Sequence, residues 1–217
     1  MGNSRDAANI ADWRLRVFGL YARVRELATD DPAAAHSLWR DERDELFRSH
    51  PSSPLLPEHR AAFTRLAVAD YDPAWRFEVV VEPAAESRLL DVATGTDGVV
   101  PFELLGTARI LDVGALDVWR LASYAGGIFL PMRDGLAGTP GGTYGGGRYL
   151  LDTVKGAYLG TAPGDNGAGE LSLILDFNFA YNPSCAYDPV WACPLPQAGN
   201  RLSTAVPVGE LAFEPGS

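Results

Sequence analysis

The chain has little lysine, little cysteine and no long apolar run, and each shortage excludes something. Of eighteen cationic side chains seventeen are arginine, and Lys155 is the one lysine. Twenty-eight Asp and Glu residues outweigh them to a net charge of −10. A phosphate-backbone partner draws on clustered Lys and Arg, so no nucleic-acid partner is expected. No stretch approaches the roughly 20 apolar residues of a membrane helix, and no membrane partner is expected. Cys185 and Cys193 are eight residues apart with one proline, Pro189, between them, and the three histidines all lie far upstream. That spacing lacks the knuckle and further ligands of a zinc site. No strand–Gly-x-Gly–helix unit is present, so flavin or nicotinamide binding is disfavoured and no cofactor is expected. The opening residues "MGNSRDAANIADWRLRVFG" contain no apolar h-region and no cleavage site, so a cytoplasmic location is expected. Gly2 follows Met1 as in a myristoylation signal, but Arg5 and Asp6 do not fit its later positions.

What is present is a globular composition. At 47% hydrophobic and 21% charged over 217 residues, the chain can bury the core of one domain carrying a helical appendage. Trp13, Val17, Leu20, Tyr21, Val24 and Leu27 recur at helical spacing. A second helix restarts at "DDPAAAHSLWRDERDELF", with Asp31 as cap, Pro32 in the first turn, and Leu38, Trp39, Leu46 and Phe47 as its core face. "HPSSPLLPEH" interrupts it, and "LPEHRAAFTRLAVA" reads as a third short helix. After Pro73 the runs are strand-length and rich in branched and aromatic residues, from "RFEVVVEP" to "ELSLILDFNFAYN". They recur about every ten residues with no helix between them, which argues antiparallel pairing. The expected fold is α+β and predominantly antiparallel β, a sandwich or barrel. Residues 1–72 form a helical segment packing on a β domain of 73–217.

Several blocks carry a resemblance. "LWRDERDELFRSHPSSPL", "DYDPAWRF", "TYGGGRYLLDTVKGAYLG", "LDFNFAYNPSCAYDPVWACPLP" and "NRL" followed by "GE" stand in order from about Trp39 to Glu210. In this the chain resembles an uncharacterised bacterial family, domain of unknown function 1684, which implies no particular activity. Met132 after Leu130-Pro131, Leu136, and Tyr158 after "KGA" depart from the family pattern, each by losing polarity or adding bulk.

The candidate site rests on two of these blocks. Strand alternation through 171–182 puts Leu171, Leu173, Leu175, Phe177, Phe179 and Tyr181 on a core face, and Asp176, Asn178 and Asn182 on the other. A solvated sheet face could carry three polar residues. Asp and Asn, however, are poor strand formers, and Tyr187 and Trp191 follow closely enough to wall a pocket. Around Thr143 and Tyr144 five glycines suggest a hairpin entry where backbones approach closely. An anion cradle is the lesser reading, since GK[ST] and a following helix are missing. If 144–160 pairs with 169–182, one register places Arg148 and Asp152 beside Asp176 and Asn178. The alternative register places Tyr149, Thr153 and Lys155 there. The first is favoured because Arg148 then forks onto a carboxylate.

Two function classes follow. One is a cofactor-independent enzyme on a small organic, possibly anionic, substrate. Asp176 and Arg148 are its catalytic candidates, and Tyr144, Asn178, Asn182, Tyr187 and Lys155 would bind substrate. The other is a non-catalytic small-ligand-binding module using the same groups. The cysteines read as semi-buried thiols, with a nucleophilic Cys185 as the alternative. His50, in "RSHPSSPL", could fold over the mouth of the barrel, although local capping is the commoner role. Oligomeric state is not legible.

Overall fold

The computed structural model describes residues 4–94, 98–123, 126–162 and 171–214. Three helices come first: α1 (Ser4–Leu27), α2 (Pro32–Ser49) and the single turn α3 (Pro57–Arg60). Seven strands follow: β1 (Arg76–Pro83), β2 (Leu89–Thr94), β3 (Gly98–Ile110), β4 (Gly114–Leu121), β5 (Ile128–Met132), β6 (Arg148–Asp152) and β7 (Ser172–Asp176). They form one antiparallel sheet ordered β6-β5-β4-β3-β1-β7, with β2 also paired to β3. The protein is therefore α+β, a helical segment followed by a curled antiparallel half-barrel. Among the described residues no helix is long and apolar enough to cross a membrane.

Local chemistry accounts for these elements. The Asp31 carboxylate accepts from Ala34 N at 2.9 Å and Pro32 opens α2, so its first turn is capped as the sequence predicts. Along β1, Val79 and Val81 are buried while Glu78, Val80 and Glu82 face out, the alternation of a sheet with one covered face. The long β3 bends at a register shift between Leu104 and Gly106. A side chain at Gly106 would run into the Glu82 carbonyl, so the bulge needs glycine. The curl brings β6 back toward β7. Tyr149 and Tyr181 close the gap by exchanging N–H···O bonds of 2.8 and 3.0 Å.

Two cores result. The inner one joins Leu116, Val118, Leu130, Met132, Leu173, Leu175 and Phe177 inside the sheet. The second sets α1 and α2 on the sheet through Leu20, Tyr21, Val24, Trp39, Leu159 and Phe179.

Three expectations change. The helix expected over 56–69 stops at Arg60, and the chain beyond runs extended: Leu211 N donates to the Ala67 carbonyl, and Ala69 N to Gly209. Strand pairing between 144–160 and 169–182 shrinks to the Tyr149–Tyr181 bridge and a short contact beside the turn, where Ile174 N donates to the Gly160 carbonyl next to a Thr161–Leu173 bridge, because β6 pairs with β5 and β7 with β1. Of the turn expected at 161–168, residues 163–168 lie outside the described residues. The alternation assigned to 171–182 ends at Asp176. Its carboxylate accepts from Asn178 N at 3.1 Å and starts a 3-10 turn, Phe177–Phe179, in which all three side chains are buried. Asp and Asn offered the backbone a local bond that competes with the ladder.

His36 locks the helices to that turn. It is 1% exposed, lies among Trp39, Tyr71 and Phe179, and donates from Nε2 to the Asn178 carbonyl at 3.0 Å. Burial first, then the nearby Arg40, pulls its pKa from 6.5 down to about 4. Between those values the unfolded chain takes up a proton that the folded chain refuses, so stability falls as pH drops through that window, by about 3 kcal/mol in all. His36→Gln keeps a donor for the carbonyl. Urea unfolding at neutral pH and near pH 4 should show a weaker acid loss in the variant than in wild type. Equal acid losses would contradict the assignment.

Candidate functional site

Where α1, α2 and the segment after the 3-10 turn meet, a cleft of ≈ 80 Å³ opens. At roughly 10–15 Å³ per water-sized group, it holds a small organic fragment. From α1 come Trp13, Val17, Leu20 and Tyr21, and from α2 come Arg43, Leu46 and Phe47. The opposite wall is Lys155, Ala157, Tyr181, Asn182, Ser184 and Tyr187. Helical spacing explains the α2 contribution. Trp39, Arg43, Leu46 and Phe47 fall on one stripe, so a guanidinium sits at a core position.

Glu210 organises the floor. Its carboxylate, 1% exposed, accepts from Arg43 Nη2 at 2.7 Å, from Asn182 N at 3.1 Å and from the Tyr187 hydroxyl. Arg43 is held in plane by Trp39, Tyr181 and Phe47, whose ring centroids lie 4.6, 5.3 and 5.5 Å from its guanidinium carbon. Burial opposes the Arg43 charge, but Glu210 and the neighbouring tyrosines outweigh it and hold its pKa above the ordinary arginine value. Burial raises Tyr21 to about 12, and raises Tyr181 and Tyr187 well above the usual phenol value. All three therefore stay protonated at neutral pH.

Two cleft residues keep one polar atom unmatched. Arg43 Nη1 and Asn182 Oδ1 are buried without a protein partner. The Asn182 amide is oriented by its Nδ2, which donates to the Leu211 carbonyl at 2.7 Å and so identifies the other atom as the oxygen. Buried polar atoms nearly always find partners, and Arg148 Nε and His59 Nδ1, on residues away from the cleft, are left over in the same way.

The structure gathers Asn182, Tyr187 and Lys155 at this cleft and leaves the other candidates elsewhere. Asp176 is buried against Arg76 at 3.1 Å and the Tyr71 hydroxyl at 3.3 Å, so its expected pairing with Arg148 is replaced. Burial raises its pKa against the opposing pull of Asn178 and Arg76. Arg148 is fully buried in another direction, beside Asp134 at 3.4 Å and donating to the carbonyls of Val206, Val208 and Glu210. The strand turn at Asp176 is what separates the two. Asn178 is saturated: it accepts from Asp72 N at 2.9 Å and donates to the Asp72 carbonyl at 2.9 Å and to Asp176 at 2.8 Å. Tyr144 donates to the Cys185 carbonyl at 3.3 Å. Its glycine-rich loop packs on the 136–139 turn, where a side chain at Gly142 would strike the Leu136 carbonyl. Trp191 is 41% exposed and walls nothing.

Sequence reasoning missed Arg43, Glu210, Trp13 and Tyr21 as site residues. For Arg43 the signal was available, since it interrupts an otherwise apolar helical stripe. Glu210, remote in sequence and in an ordinary "GE" pair, gave none.

The cysteines are free and half-buried, and the Tyr144 hydroxyl lies 3.8 Å from Cys185 Sγ. The Cys185 thiol draws Cys193 down to about 6 against the effect of burial, with Lys155 assisting, while Cys185 is pushed up. The opposed shifts favour the thiolate at Cys193 over Cys185. Iodoacetamide at neutral pH should alkylate Cys193 before Cys185 in a peptide-mapped time course, and the reverse order would refute the pairing. His50 sits under α1, where Nδ1 accepts from Ser52 N at 3.0 Å and Nε2 donates to Asp12 at 3.0 Å. Both ring nitrogens are engaged, and Pro54 of the same loop is what reaches the cleft.

No curated protein matches the chain. The solution NMR structure of an uncharacterized protein of Haloarcula marismortui is similar, at 33% identity and a TM-score of 0.58, over 84% of this chain and 95% of that one. Residues 61–211 match the family described as "Protein of unknown function (DUF1684)". The match begins after α2, so the family portion supplies Tyr181, Asn182, Tyr187 and Glu210, while Trp13 and Arg43 lie outside it. By that match over more than half its length, the chain belongs to this family of unknown function.

Proposed function

We propose that the protein binds a small organic molecule in the cleft between α1, α2 and residues 181–187. One observation carries this reading: the cleft of ≈ 80 Å³ is walled by Trp13, Leu20, Tyr21, Leu46, Phe47 and Tyr187, with Arg43, Asn182 and Lys155 among its few polar residues. The aromatic and aliphatic wall with few polar groups is the usual make-up of a ligand pocket. A static binding role fits better than acid/base chemistry. Glu210 already accepts three hydrogen bonds, and Asp176 and Arg148 are engaged away from the cleft.

A fragment screen read by thermal shift tests the proposal. Binders of the folded state raise the melting temperature by mass action. Hits should be lost in Val17→Trp, which fills the cleft from α1. If every hit raises the melting temperature of Val17→Trp as much as that of wild type, the ligand site is elsewhere and the proposal fails.

A further inference from the structure

We infer that Cys185 and Cys193 form a thiol–disulfide exchange site, which takes a small disulfide as its oxidant and closes a disulfide within the chain. The residues between them run through tight turns. A 3-10 turn spans Ser184–Ala186, Asp188 N donates to the Ser184 carbonyl at 3.2 Å, and Trp191 N donates to the Asp188 carbonyl at 3.2 Å. The segment therefore doubles back, and its two ends meet the same pair of tyrosines. The Tyr144 hydroxyl lies 3.8 Å from Cys185 Sγ and donates to the Cys185 carbonyl at 3.3 Å. Cys193 packs on the cluster that contains Tyr149, whose hydroxyl donates to the adjoining Pro194 carbonyl at 2.9 Å. Each of these tyrosines feels both cysteines. Both thiols are free, and neither is sealed from solvent.

Electrostatics divide the work between them. For each sulfur the largest single influence is the other. Cys193 is held down to about 6, with Lys155 assisting, which makes it the attacking thiol at neutral pH. Cys185 is pushed up by Cys193 first and by burial second. The Cys193 thiolate attacks one sulfur of the small disulfide, and the other half leaves as a thiolate. Capped in this mixed disulfide, Cys193 carries no charge, and the chief restraint on ionising Cys185 is gone. Cys185 then loses its proton to solvent and attacks the Cys193 sulfur, which breaks the mixed disulfide and expels the second half. The protein gives up two electrons and two protons, and the small disulfide ends as two thiols.

Glutathione disulfide is the probe. The reduced full chain is incubated with it at neutral pH, quenched with iodoacetamide, and followed by intact mass and peptide mapping. Wild type should lose two hydrogens and both alkylation sites and yield a cross-linked Cys185–Cys193 peptide. Any glutathione adduct seen before closure should map to Cys193. Cys185→Ser should stop at that adduct, and Cys193→Ser should react about tenfold or more slowly. Thiols that stay open to alkylation in excess glutathione disulfide, lasting adducts on wild type, or disulfides only between molecules would overturn the site. Equal rates for the two single variants would overturn the division of roles. The wild-type time course decides by itself should either variant fail to fold.

Discussion

Arg148→Met is expected to cost about 3–5 kcal/mol of folding free energy, a large share of the roughly 5–15 kcal/mol that holds a typical domain together. The Arg148 guanidinium is fully buried and gathers the carbonyls of Val206, Val208 and Glu210, three points on a segment with no strand of its own. Asp134, also buried, faces it at 3.4 Å and anchors Leu136 N, Thr143 Oγ1 and Val206 N. Burial pulls Arg148 down to about 10 while Asp134 and Glu210 resist, so it stays charged at neutral pH. Methionine fills similar space but strands three carbonyls and a carboxylate. Lysine keeps the charge but lacks the planar fork that reaches several carbonyls at once, so Arg148→Lys should recover only part of the loss. Urea unfolding measures both variants. A loss below about 1 kcal/mol for the methionine variant would mean that the C-terminal segment is held by other contacts.

Arg148 also shows how far the sequence could be read. The two-part organisation and antiparallel class were legible because both rest on period: 3.6 across Trp13–Leu27 and 2 along "RFEVVVEP". The buried carboxylate partner of Arg148 was not legible. Asp134 lies upstream in a turn-rich stretch, whereas Asp176 stood on an apparent strand and invited the pairing. The error came from carrying a period of two past Asp176. There a single bond from its carboxylate to Asn178 N breaks the ladder and turns the chain. Sequence alternation registers where side chains would point in a strand, but not where an Asp ends the strand. The same limit explains the site. Asn182 and Tyr187 were found from composition near a Pro-rich turn, and Lys155, the one lysine, through the alternative strand register. Arg43 and Glu210, 167 positions apart, meet only because α2 packs beside the returning C-terminal chain. Contacts between distant segments are set by packing that no local pattern records.

That meeting of Arg43 and Glu210 supports the second large effect. Glu210→Gln is expected to cost about 3–5 kcal/mol, since removing one member of a buried pair leaves the other charge uncompensated. At about 2–4 °C per kcal/mol for a chain of this size, the melting temperature should fall by roughly 6–20 °C. Gln is nearly isosteric, but its one oxygen can replace either the Oε1 that Tyr187 uses or the Oε2 that Asn182 N uses, so the loss reports the ion pair and one hydrogen bond rather than a cavity. The double variant Arg43→Met, Glu210→Leu should lose less than the two corresponding single variants added together. With both charges gone, Trp39, Tyr181 and Phe47 would pack on apolar groups instead. Additive stability losses would mean that the pair is not coupled.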